Sequence, residues 1–572
     1  MNIFENYLKL ILENINHHYK ELGINKIESY KGINLEKPPP NFDCDISSNV
    51  VLLLAKQNKC NPITLGNNIK NLLEKNINDF KDIEIAGPGF LNISLKNEAL
   101  TVIINEILKK NEKFGSQNDA KNYNIEFVSA NPTGPMHVGH CRGAIFGDTL
   151  SNLLKFNGNK VTKEYYINDY GGQIINFLKS VYLRIREIKY SEKFPNDKSL
   201  YPGEYIIEIA DSIQKKRKSE FKSFDDEYEF LYKEALNHSM QMIKSDLSML
   251  GISHDKFISE KSIVESKTLD KAINLLKKTN YVEEGYLDPP KSEEIKNWKK
   301  TKRLLFKSTL FGDDSNRALQ KSDGTWTYFA NDIAYHFNKV SRNYDKLINV
   351  LGADHTGYIK RIEGAVKALS QNKIILECKV CQLVKLFKNG EPFKMSKRAG
   401  DFVSVNDLLS EVNKDAIRFM MLNRSNDVEL DFDFDKVLEK SKDNPVFYVQ
   451  YCHARIQSLL RSTSNTLVKK KIVKIDKEFN KYEREVLRKI FEWPKIVKIS
   501  SNKCEPHRIP FYLYELATLF HSYWSKGNED EKYKFIKNGK ISNNNILTII
   551  SLLLLVLKNG MGILNVSLPD KM

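Results

Sequence analysis

Apolar residues return every three or four positions at the start of the chain: Phe4, Leu8, Ile11, Leu12 and Ile15 within MNIFENYLKLILENINHHYK. That period predicts a helix with one buried face. KPPPNFDC breaks the pattern, ITLGNNIKNLLEKNI resumes it, and IEIAGPGFLNISL reads as two short strands about a Gly-Pro-Gly turn. Residues 1–112 are therefore expected to form a small α+β domain. From Tyr123 the texture changes. NYNIEFVSA is rich in strand formers. CRGAIFGDTLSNLLKFNG is a helix with Ile145, Leu150, Leu153 and Leu154 on one side and Gly158 at its C-terminal end, and NKVTKEYYIND is a strand again. This β-α-β unit opens a parallel, Rossmann-like sheet.

Residues from about 175 to 300 are helical in pattern and heavily charged, with KKRKSEFKSFDDEYEF as a solvated face. They read as a helical insertion between two halves of the sheet. DKLINVLGADHTGYIKRIEGAVKAL returns to strand and helix, and VCQLVKLFKNGEPFKMSKRAG adds a strand, an Asn-Gly turn and a basic loop. After about residue 440 the pattern is almost wholly helical. Its strongest apolar run, Ile546–Leu557, is short for a bilayer and reads as a buried helix. The expected architecture is α/β and multidomain: an α+β domain over 1–112, a Rossmann-like domain over 113–435 carrying the insertion, and an all-helical domain over 436–572.

Composition narrows the function classes. The chain has 572 residues, 41% of them hydrophobic, enough for large cores. A net charge of +16 suits a polyanionic partner, nucleic acid first, although a Lys- and Asn-rich surface alone would give the same number. Seven cysteines, an odd count, argue against a disulfide framework and for a reducing compartment. Cys378 and Cys381 form a lone CxxC, two ligands short of a zinc site. The N-terminal segment has no signal-peptide core, so the expected location is the cytoplasm.

The chemistry concentrates in NPTGPMHVGHCRG, Asn131 to Gly143. His137 and His140 fall between the first strand and its helix, where open parallel sheets bind ligands and a helix N-terminus attracts anions. The pair could hold a metal, contact phosphate or be incidental to the loop. A metal needs a third ligand, and no acid stands close in sequence. Gly139 leaves room for a flat base. KMSKR, Lys394–Arg398, offers a cationic loop able to neutralise charge on a departing pyrophosphate.

HVGH followed by KMSKR resembles the signature pair of class I aminoacyl-tRNA synthetases. The surrounding text resembles the arginyl-tRNA synthetase family: EFVSANPTGPMHVGHCRGAIFGD, INDYGGQI, YPGEYI, DGTWTYFANDIAYH, LGADHTGYIKR, KMSKRAG and LNVSLPDKM, with SSNVVLLLAK and AGPGFLNISL ahead of them. The resemblance implies that His137 and His140 contact ATP and the transition state, that Gly139 lies under adenine, and that Lys394, Met395, Ser396 and Lys397 meet the nucleotide. His137, His140, Lys394 and Lys397 are the implied catalytic residues. It implies arginine contacts at Glu126, Asp332 and Tyr328 around the guanidinium, at Asn131 toward the α-amino end, and at Gln173. Asp354 or His355 stands where some relatives have a glutamine, and NDYGGQI departs from the more usual NDAGNQI. A planar guanidinium suits bidentate carboxylates.

The implied reaction has two steps: arginine and ATP, with Mg²⁺ on the phosphates and no protein-bound metal, give arginyl-adenylate and pyrophosphate, and the terminal adenosine of tRNA then takes the arginine. The resemblance also implies that activation waits for tRNA. Tyr448, Tyr451, His453 and Arg455 in PVFYVQYCHARIQSLLR offer aromatics and charge to an anticodon loop, unless they are simply one side of a core helix. The N-terminal domain resembles the family's tRNA-elbow module. A monomer with no membrane partner is expected. The rivals are a class I synthetase for lysine or glutamate, and a paralogue that has lost catalysis.

Overall fold

The computed structural model describes residues 2–39, 42–217, 219–286, 301–393, 403–463, 473, 475 and 477–572. Lys394, Met395, Ser396 and Lys397 of the basic loop lie outside the described residues. The chain forms two compact units, one of residues 119–438 and one of residues 1–118 with 439–572.

The 119–438 unit is built on a five-stranded sheet, parallel throughout. Its strands run, from edge to edge, Ile375–Cys381, Lys346–Gly352, Asn122–Glu126, Lys160–Ile167 and Lys256–Ser259. The first strand in sequence is thus central. The chain fills one side of it and later returns to the other, so its carboxyl end is the topological switch point, where such sheets bind ligands. Ile125 and Phe127 are fully buried at that end. The following helix, Val138–Phe156, packs so closely that a Cβ on Gly147 would sit 2.3 Å from the Phe127 ring.

The expected insertion is helical through Gly172–Tyr190, Glu204–Lys216 and Phe224–Met249. It ends sooner than the pattern suggests. Lys256–Ser259 pairs with Tyr165 and its neighbours as the sheet's edge strand, and Val282–Gly285 pairs antiparallel with Arg303–Phe306. Four-residue strands are too short for alternation to announce them. The charged stretch within the insertion is not all solvated either: Phe221 and Glu227 are buried, Glu227 against Arg217.

The other unit joins both ends of the chain. Its N-terminal part is a four-stranded antiparallel sheet, with Phe80–Ala86 and Phe90–Leu95 as the predicted hairpin, flanked by helices Ile3–His17, Val50–Asn58, Pro62–Asn76 and Asn97–Lys110. Its C-terminal part is the helices Pro445–Ser462, Lys481–Asn502, Arg508–Glu529 and Asn544–Leu564 with a two-residue-stranded hairpin. Specific bonds join the parts. Trp493 Nε1 donates to the Phe114 carbonyl at 3.0 Å, and Arg484 and Arg488 reach buried Asp45 at 2.7 and 3.4 Å. The apolar run extends to a 21-residue helix, long enough to cross a bilayer by length alone, but 78% of its apolar window is buried within the unit.

Candidate active site

The signature turn caps its own helix. His137 is the N-cap of Val138–Phe156; its Nδ1 accepts the Gly139 N–H at 3.1 Å, while His140 Nδ1 accepts the His137 N–H at 3.3 Å. Both Nδ1 atoms are therefore acceptors, which leaves the proton of each neutral ring on Nε2. The rings lie 3.8 Å apart. Burial lowers the pKa of His137, and burial followed by the charge of His137 lowers that of His140 to about 3. The pair is neutral at physiological pH. A Cβ on Gly139 would fall 2.8 Å from the His137 ring, so any larger residue there would have to displace that ring.

Three backbone bonds fix this turn. Met136 N–H donates to Asp246 Oδ2 at 2.8 Å, from the insertion helix Phe224–Met249. Val138 N–H donates to the Val403 carbonyl at 2.8 Å, and Val405 N–H to the Met136 carbonyl at 3.2 Å, with His137 opposite Ser404 in an antiparallel bridge. Val403 follows Arg398 by five residues. The histidine turn is thus tied by main chain to Val403–Val405, far away in sequence. Asp246 is buried and bonded to main chain only, which leaves burial to raise its pKa to about 6.

At the switch point the chain twists sharply. Val128 and Ser129 take φ of +71° and +42°, costly for a β-branched residue and a mark of function. Ser129 Oγ donates to Glu126 at 3.0 Å and accepts the Tyr166 N–H at 3.1 Å. Glu126, expected to face the guanidinium, already has a cation: fully buried Lys339, eleven residues beyond Tyr328 on helix Tyr328–Val340, reaches both it and Asn349. That partner is 213 residues away and invisible to local reading.

Asp332 differs. It lies half-buried on the same helix, and its oxygen accepts the Tyr358 hydroxyl. Burial raises its pKa, Tyr358 pulls it back, Glu126 adds to the rise, and the balance stands at about 6. Glu260, which sequence reading missed, rises to about 7 through burial and then through Asp332 and Asp169. Among the described residues neither acid has an ion-pair partner. Two carboxylates that repel each other without an ion-pair partner are the kind of group a cationic ligand would satisfy.

The remaining expected contacts divide. Asn131 Nδ2 donates to Gln173 Oε1 at 2.6 Å, so those two come together at the rim. Tyr328 is 78% exposed at the first turn of its helix. Asp354 and His355 pair with each other at 3.3 Å, both exposed to solvent after the Lys346–Gly352 strand. No three His, Cys, Asp or Glu side chains gather to hold a metal among the described residues.

In the other unit, Arg455 lies over Tyr451 and Trp524, at 4.3 and 5.2 Å from the ring centroids, and bonds Tyr451 Oη at 2.6 Å and His521 Nδ1 at 3.0 Å. Tyr448 packs on His521 at 4.3 Å and is half-buried. The three expected residues share a face, and Trp524 joins them from helix Arg508–Glu529. His453 does not: it is buried, and its Nδ1 bonds the Pro569 carbonyl at 3.0 Å. It ties down the C-terminal segment instead of facing a partner.

Known proteins share this arrangement. Sequence models match for the Arginyl tRNA synthetase N terminal domain over residues 9–95, for tRNA synthetases class I (R), catalytic domain, over 103–459, and for the DALR anticodon binding domain over 449–572. An arginine–tRNA ligase of Pelagibacter ubique is 52% identical over 578 residues, and one of Wolbachia sp. subsp. Brugia malayi 43% identical over 585, each match covering the whole of both chains. The solved arginyl-tRNA synthetase of Thermus thermophilus has the same fold, with a TM-score of 0.70 at 20% identity over 99% of this chain and 100% of that one. The chain belongs to the arginyl-tRNA synthetases, a class I aminoacyl-tRNA synthetase family.

Proposed function

We propose that arginine is activated at the carboxyl end of the first strand, between the histidine turn and the acid pocket. The chain ligates L-arginine to its tRNA in two steps: arginine and ATP give arginyl-adenylate and pyrophosphate, and the terminal adenosine hydroxyl of the tRNA then takes the arginine. The observation that carries the placement is the pair Asp332 and Glu260, half-buried acids that press on each other and have no ion-pair partner among the described residues. A guanidinium supplies the missing charge and the planar donors. Asn131 and Gln173 hold the α-amino end. In the first step the arginine carboxylate attacks the α-phosphate. His137 and His140, neutral with Nε2–H, donate to phosphate oxygens as charge builds, Gly139 lies under adenine, and Lys394 and Lys397 meet the leaving pyrophosphate. Met395 and Ser396 line the nucleotide with them. Mg²⁺ enters on the triphosphate as its counter-ion.

Tyr448, Tyr451 and Arg455 face the anticodon loop, with Trp524 as a further stacking surface. The enzyme works as a monomer in the cytoplasm and activates arginine efficiently only with tRNA bound. The test is charging of purified tRNA with each labelled amino acid, together with arginine-dependent exchange of pyrophosphate into ATP. Charging with arginine alone is expected, and exchange that needs tRNA. Lys397→Ala should slow activation by about two to three orders of magnitude with arginine binding kept. Charging with lysine or glutamate instead would overturn the assignment.

A further inference from the structure

Four tyrosines of the catalytic unit lie on the strand Lys160–Ile167 or bond to Glu164 and Asp332, and three have hydrogen-bond partners. Tyr165 donates to the Ala130 carbonyl at 2.8 Å, Tyr335 to Glu164 at 2.8 Å, and Tyr358 to Asp332. The hydroxyl of Tyr166 is buried with no hydrogen-bond partner among the described residues. Tyr166 itself is only 6% exposed. Its ring is held at 4.0 Å in a stack with Tyr335, and its backbone by Ser129, so the hydroxyl cannot swing away to find water. What surrounds it is acid. Burial first, then Glu260, Asp332, Glu126 and Asp169, push its pKa far up and keep it protonated. A buried hydroxyl left unpaired costs free energy unless a ligand satisfies it.

We propose that Tyr166 is a specificity-determining residue whose hydroxyl oxygen accepts a guanidinium N–H of bound arginine. The inference rests on the reading of Asp332 and Glu260 as the guanidinium pocket. A guanidinium brings five N–H donors in one plane. Glu126 is occupied by Lys339, so two carboxylates are left for those donors, and a phenol oxygen among them takes one more. The phenol is a neutral acceptor in an acidic neighbourhood. An ammonium has fewer donors in a different geometry, so lysine would leave the oxygen unpaired, and a site that strands a buried polar group rejects such a ligand.

Tyr166→Phe removes one oxygen and keeps the ring in its stack. The variant should raise the arginine KM about tenfold or more, with kcat within about twofold and the ATP KM unchanged. Discrimination against lysine, read as the ratio of kcat/KM values in tRNA charging, should fall. Asp332→Asn, measured alongside, tells the two ideas apart. If it raises the arginine KM and Tyr166→Phe leaves it within twofold, the proposal fails and the pocket stands. If neither variant moves it, the pocket reading fails and takes the proposal with it. If Tyr166→Phe lowers the melting temperature and degrades kcat and both KM values together, the hydroxyl is structural and the proposal is overturned.

Discussion

Glu164 and Asp332 are acids of the same unit, the first bonded to Tyr335 of helix Tyr328–Val340 and the second carried by that helix, and burial pushes each of them up. They end far apart. Glu164 receives both ends of the Arg342 guanidinium at 2.5 and 2.8 Å, with Tyr335 adding a hydroxyl, and these contacts reverse the effect of burial and hold it at about 2. Asp332 has a tyrosine and, among the described residues, no ion-pair partner, and stands at about 6. One carboxylate is thus already forked by an arginine side chain, and the other, on the proposed reading, takes the guanidinium of the substrate. The difference separates an acid whose charge the fold itself satisfies from one whose charge is left for the proposed ligand.

The comparison breaks most visibly from the structural side. Arg342→Met strands Glu164 as a buried anion and should destabilise the catalytic unit by about 3–5 kcal/mol, read as a lower melting temperature. Asp332→Asn should do the opposite. It relieves an uncompensated charge, so the melting temperature holds or rises, while the arginine KM climbs about a hundredfold. A variant that lost stability and kept its KM would show Asp332 to be another structural acid.

Acid pH sharpens the contrast. Asp332 and Glu260 have folded pKa values above their unfolded ones, so the free protein favours their protonated forms and loses stability as pH rises from about 4 through 7. Arginine needs the ionised forms. Its affinity should fall about tenfold as pH drops from 8 through the apparent values of the pair near 7 and 6, and binding at pH 6.5 should release protons, measurable by calorimetry in buffers of different ionisation heat. Glu164 runs the other way: its contribution is complete above about pH 4 and is lost as pH falls toward 2. The smallest effect concerns Asp246, an acid whose only partner is main chain. Asp246→Ala frees the Met136 amide and should lower kcat several-fold with both KM values near normal, because it loosens the histidine turn without touching substrate.

Much of this was legible in the chain. The β-α-β unit and the turn with His137 and His140 follow from period and punctuation, which are local. The acid pocket was half legible. Asp332 could be named, but Glu260 could not, because nothing in its own neighbourhood marks it and its importance comes from Asp332, 72 positions on. Glu126 could be named and its partner could not, so its buried bond to Lys339 went unforeseen. Tyr166 sits in a strand whose other residues look much the same, and only packing shows that its hydroxyl is the one without a partner. His453 looked like its neighbours on a helix and turned inward because the C-terminal segment claims it.

The unit that unites residues 1–118 with 439–572 sets a timetable for synthesis. At about 5–20 residues per second, a ribosome needs roughly 15–60 s to make residues 119–438. For that interval the Phe114 carbonyl has no Trp493 and Asp45 has no arginine beside it. The N-terminal sheet must hold on its own core of Ile83, Leu91 and Ile93 until the last helices arrive, while the catalytic unit, continuous in sequence, can finish first. A nascent chain of this enzyme therefore has its active-site sheet before it has the surface that carries Arg455 and Trp524.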